Sequence, residues 1–95
     1  MNTIDRVQSW YFSQCNGDWE HGNGIRIETL DNPGWLVDIN LADTALEGKL
    51  FDRVQMDRTE LDWLWAWKDE NKFSVRCGPK NLEEALLLFL NWAEK

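Results

Sequence analysis

Residues Ile25–Leu41, IRIETLDNPGWLVDINL, decide the fold class. Ile25, Ile27 and Thr29 alternate with Arg26, Glu28 and Leu30, and Trp35, Val37, Ile39 and Leu41 alternate with Leu36, Asp38 and Asn40. Side chains that change character at every second residue belong to extended chain, whose successive side chains point to opposite faces. Between the two runs stands Asp31-Asn32-Pro33-Gly34, in which Pro fixes φ at a turn corner and Gly is expected to take positive φ. The segment therefore reads as a β-hairpin.

Upstream, Ile4, Val7, Trp10, Tyr11 and Gln14 recur at the spacing of one helix face, with Thr3 placed to cap it and Asn16-Gly17 placed to end it. This predicts a helix over residues 3–15. Downstream, Ala42–Gly48 reads as a connection, and Lys49–Arg58 alternates loosely as a third strand through Leu50 or Phe51, Val54 and Met56. Residues Asp62–Lys68, DWLWAWK, and Lys72–Cys77, KFSVRC, flank Asp69-Glu70-Asn71 as a second hairpin. Gly78-Pro79 stops it. Asn81, with Glu84 three residues on, then opens a last helix whose apolar stripe is Leu82, Ala85, Leu86, Phe89, Leu90 and Ala93. The expected architecture is α+β: residues 1–95 as one domain, a four- to five-stranded antiparallel meander sheet with N- and C-terminal helices packed on one face.

The register of the second hairpin matters for function. A turn of two or four residues puts Leu64 and Ala66 on the face of Phe73, Val75 and Cys77. Trp63, Trp65 and Trp67 then point away from the helices, beside Ser74 and Arg76. A three-residue loop reverses every one of these side chains. The first register is expected, because it pairs two apolar faces of matched size.

Seven of the 95 residues are Trp, and the formal net charge is −7. Within Cys15–Glu47 the acids Asp18, Glu20, Glu28, Asp31, Asp38, Asp43 and Glu47 face Arg26 alone, so a third of the chain carries −6 of that charge. Lopsided charge beside aromatics suggests a surface for a basic protein partner. The acidic balance argues against nucleic acid as a ligand, which needs clustered Lys and Arg. No apolar run reaches the roughly 18–20 residues of a membrane span, so no membrane partner is expected. The start Met1–Asp5 has neither the basic nor the apolar region of a signal peptide, giving a cytoplasmic expectation in which Cys15 and Cys77 remain reduced.

Cys15, Asp18, Glu20 and His21 are the one set that invites catalysis. A thiolate nucleophile needs a base, and His21 is the only candidate. The same residues equally fit a helix-terminal Cys followed by a loop anchored by Trp19. Three Cys and His residues, widely spread, match no zinc spacing, so no metal or other cofactor is expected. Trp63-x-Trp65-x-Trp67 reads as a sugar- or peptide-binding platform, a protein hot spot, or core.

The order WYxxxCNGDWEHxxGIxIxTLDNPGW over Trp10–Trp35, then Thr44-x-Leu46-Glu47 and Gly78-Pro79-Lys80-Asn81-Leu82, resembles the immunity protein 53 family from about Val7 to Trp92. The resemblance implies a small, non-enzymatic cytoplasmic protein of a bacterial polymorphic toxin system that neutralises a cognate toxin domain. The residues that carry it are Trp10, Tyr11, Cys15, Gly17, Trp19, Glu20, His21, Asp31, Asn32, Pro33, Gly34 and Trp35. Together these readings give a toxin-binding protein, with Asp18, Glu20 and Asp38 as charged contacts and Trp19, Trp63 and Trp65 as anchors. The alternatives are a Cys15–His21 enzyme or sulfurtransferase-like protein, and a tryptophan-lined sugar or peptide module.

Overall fold

In the computed structural model, which describes residues 1–95, the first hairpin is β1 (Ile25–Leu30) and β2 (Gly34–Asn40). A second block, β3 (Val54–Asp57), β4 (Trp63–Lys68) and β5 (Lys72–Cys77), is a three-stranded antiparallel meander. The two blocks join where β5 pairs with β2, giving the order β1-β2-β5-β4-β3. Chain order thus holds inside each block and breaks once, where residues 41–53 carry the chain to the far edge. The join has a physical reason. It sets Val37 opposite Val75 and Ile39 opposite Phe73, so the apolar face of each hairpin continues the other.

Lys68 pairs with Phe73, Ala66 with Val75 and Leu64 with Cys77, the register of an even-numbered turn, closed at Glu70-Asn71 by the Asp69 N–H donating to the Lys72 carbonyl at 2.9 Å. Leu64, Ala66, Phe73, Val75 and Cys77 are all fully buried beneath helix α3 (Leu82–Ala93), which contributes Ala85, Leu86, Phe89 and Leu90. Helix α1 (Thr3–Gln14) packs against α3 on the same side of the sheet. Trp10, Phe89, Phe73 and Trp92 form a continuous aromatic chain, with centroids 5.0 Å apart for Trp10–Phe89, 5.2 Å for Phe89–Phe73 and 5.4 Å for Phe73–Trp92. Of the third-strand candidates, Phe51 joins this cluster, 4.8 Å from Phe73, while Leu50 is exposed.

Several local expectations change. The α1 cap is Asn2, whose side chain accepts from the Asp5 N–H at 2.8 Å; the Thr3 hydroxyl instead donates to Glu83 Oε2. Residues 16–23 are not an open loop but contain one turn of helix, α2 (Trp19–Gly22). Asn16 Oδ1 accepts from the Asp18 and Trp19 N–H groups, which starts that turn. Gly34 does not supply positive φ. It lies in β2, where any Cβ would collide with the Cys77 carbonyl, so its role is close approach of strands. The Asn32–Pro33 peptide is cis. The Asn81 side chain accepts no helix N–H; its amide donates to Asp62 Oδ1 at 2.9 Å and Glu84 Oε1 at 3.0 Å.

Candidate functional site

Both helices cover one side of the sheet, so the other side is open, and the register dictates what it carries. One row across it reads Glu28, Leu36, Arg76, Trp65, Gln55. The next reads Arg26, Asp38, Ser74, Trp67. Asp57 stands at the β3 end. Trp63, Trp65 and Trp67 thus line one strand, the first two edge to face with centroids 5.5 Å apart. Trp65 is 38% exposed, and its indole N–H donates to Asp57 Oδ1 at 2.8 Å.

The centre of the face is held by ions. The Arg76 guanidinium donates to Asp38 Oδ1 at 2.9 Å and lies over the Trp67 ring, 5.3 Å from its centroid. Lys72 approaches the other Asp38 oxygen at 4.0 Å. Beneath them Ser74 is buried, and its hydroxyl has no bonding partner in the protein. Arg76 bridging an acid and an aromatic ring presents a flat guanidinium plane, a geometry Lys cannot reproduce.

The six contact candidates fall into two places. Asp38, Trp63 and Trp65 share the open face. Trp19 and Glu20 lie on α2 and Asp18 immediately before it, and α2 is tied to the far end of β2 through Ala42. Trp19 is a correction: at 4% exposed it is no surface anchor. Its indole N–H donates to the Ala42 carbonyl at 2.8 Å, and its ring meets Trp10 and Tyr11 edge to face. The Glu20 carboxylate is likewise occupied, accepting the Asn16 and Gly17 N–H groups at 3.0 and 2.9 Å. Backbone N–H donors, including its own, hold that carboxyl below the usual range. Asp38 is almost fully buried and neutralised by Arg76. Asp18 is exposed, with no side-chain bond to the helix it precedes.

The thiol set does not assemble. Cys15 Sγ donates to the Tyr11 carbonyl of its own helix at 3.4 Å, and no hydrogen bond links it to His21. Cys77 is buried in the core, which pushes its thiol up to about 11. No group of three or more His, Cys, Asp and Glu side chains is arranged to hold a metal ion. No helix is long and apolar enough to cross a membrane.

Arg76, Asp57 and Leu36 were not among the sequence candidates. The signal was present, since the hairpin register that exposes Trp65 also places Arg76 beside it and Leu36 one strand further on. A family model described as Immunity protein 53 matches residues 4–94 of the chain. No curated protein and no solved structure matches.

Proposed function

This chain belongs to the immunity protein 53 family, and from that premise we propose that it binds and neutralises a cognate bacterial toxin domain through the open face of its sheet. The observation that carries the surface assignment is the row Leu36, Arg76, Trp65 on a sheet face that no helix covers. Half-buried aromatics and an arginine held in place lose little freedom on binding, which is what interface anchors need.

The toxin surface in this proposal is basic. Twelve of the seventeen acids, Asp18 and Asp57 among them, are outside any ion pair and the formal net charge is −7, so the overall field of the protein is negative. Complementary fields raise the association rate, while the desolvated Trp63 and Trp65 rings would supply the durable contact. A toxin that acts on nucleic acid has such a basic cleft, and a protein covering it would block substrate entry without any catalysis of its own. Protection is needed where the toxin acts, and we place that in the cytoplasm.

Co-expression tests the proposal. Cells producing the cognate toxin domain survive with the wild-type chain and die with a folded Trp63→Ala/Trp65→Ala variant. Equal killing with and without the wild-type chain, together with no isolable complex, would refute it.

A further inference from the structure

Strand β1 is an open edge of the sheet, paired on one side only, with β2. The hydrogen bond from Asn40 N–H to the Gly24 carbonyl fixes the phase of that ladder: the even residues of β1 bond to β2. The N–H and C=O groups of Ile25, Ile27 and Thr29 therefore point outward, and they have no partner elsewhere in the protein. An unpaired six-residue edge is a template for another strand.

The surroundings of this edge are unfinished in the same direction. Ile27 is 40% exposed on the side of the sheet that carries the helices. Val7, Gln8, Tyr11 and Ile25 line a groove between α1 and β1. Ile4, Tyr11 and Phe12 are exposed on α1, which meets the core through Val7 and Trp10. A sixth strand beside β1 would extend the sheet beneath these apolar side chains.

We propose that the added strand is β1 of a second copy, giving a two-fold symmetric dimer with one continuous ten-stranded sheet. The sequence of the edge favours this occupant because it is complementary to itself. Antiparallel pairing centred on Ile27 sets Ile27 opposite its symmetry mate and Ile25 opposite Thr29, all with outward backbone groups. The same register puts Arg26 opposite Glu28, twice, on the open face. Within one protomer these two side chains already form an ion pair, so each is pre-placed beside the opposite charge. A slip of two residues in the sum of the paired positions would set Arg26 against Arg26 or Glu28 against Glu28, so charge selects the centred register. The proposal is independent of which face meets the toxin.

Sedimentation and light scattering over a concentration series at about 0.15 M salt, where the repulsion of two acidic protomers is screened, test it. The wild-type chain should reach twice the 11.2 kDa protomer mass. Arg26→Glu and Glu28→Arg should each remain monomeric, and the double swap should restore the dimer. Ile27→Pro should also be monomeric with an unchanged circular dichroism spectrum, because it removes an outward N–H and no β1–β2 bond. A wild-type mass of one protomer at all concentrations overturns the proposal. So do single charge reversals that dimerise as the wild type does. A monomeric wild type whose toxin complex is lost in Ile27→Pro would assign the edge to the toxin and equally overturn it.

Discussion

The two faces of the sheet use tryptophan in opposite ways. On the helix side and in the loops that close it, Trp19, Trp35 and Trp92 each donate their indole N–H to a backbone carbonyl, of Ala42, Pro79 and Leu50, 23 to 44 residues away. Each is a peg that pins a connecting segment to the core, and its polar atom is satisfied inside the protein. On the open face, Trp63 and Trp67 make no such bond, and Trp65 bonds only to the exposed Asp57. A buried indole without an acceptor is costly, so the open-face tryptophans keep their N–H groups toward solvent or an exposed acid, as the proposed contact surface requires. The contrast sorts six of the seven tryptophans; the seventh, Trp10, makes no indole bond and is held by ring packing against Phe89.

Substitutions on the two faces should therefore separate stability from binding. The largest effect is expected from Phe89→Ala, which empties the point where Trp10, Phe73 and Trp92 converge. Thermal or urea unfolding should register a loss of about 3–5 kcal/mol, a large share of the stability of a domain this size. Trp19→Phe keeps most of the ring volume but leaves the Ala42 carbonyl without its donor. It should cost about 1–2 kcal/mol in the same assay, with little change in toxin affinity. If Trp19→Phe instead abolished binding at unchanged stability, the division between pegs and contacts would fail at that residue.

Smaller effects sharpen the comparison. Ser74 is buried under the Arg76–Asp38 pair with an unpartnered hydroxyl, so Ser74→Ala should be neutral or stabilising by up to about 1 kcal/mol. On the helix side, Arg58 donates to Glu84 and Asp62, bolting the 58–62 loop to the start of α3. Its guanidinium holds both carboxyls below their ordinary range. Groups whose native pKa is depressed contribute stability above the ordinary carboxylate value, near pH 4, and lose it as pH falls through the native one. The urea midpoints of wild type and Arg58→Leu should accordingly differ at neutral pH and converge as the pH approaches about 2.

Most of this arrangement was legible in the sequence, for identifiable reasons. Period-two alternation fixed both hairpins, and matched apolar faces selected the register that exposes the β4 tryptophans. Strand order was less accessible. Nothing local in residues 41–53 records that β5 returns to β2, since that pairing depends on two surfaces far apart in the chain. Asp31-Asn32-Pro33-Gly34 is legible as a turn, yet Gly34 is required by the Cys77 carbonyl of another strand, a tertiary reason that the local motif conceals. The charge-based reading of Glu20 and Asp38 suffered in the same way. Composition counts their charges, but one carboxylate is spent on the Asn16 and Gly17 N–H groups and the other on Arg76.

The claim that the open face is the recognition surface is tested most directly by calorimetric titration of the purified cognate toxin domain with Trp63→Ala/Trp65→Ala. The variant should unfold within about 1 kcal/mol of wild type and bind at least about 30-fold more weakly, the loss expected of truncated hot-spot aromatics. Wild-type affinity in the folded variant would contradict the account.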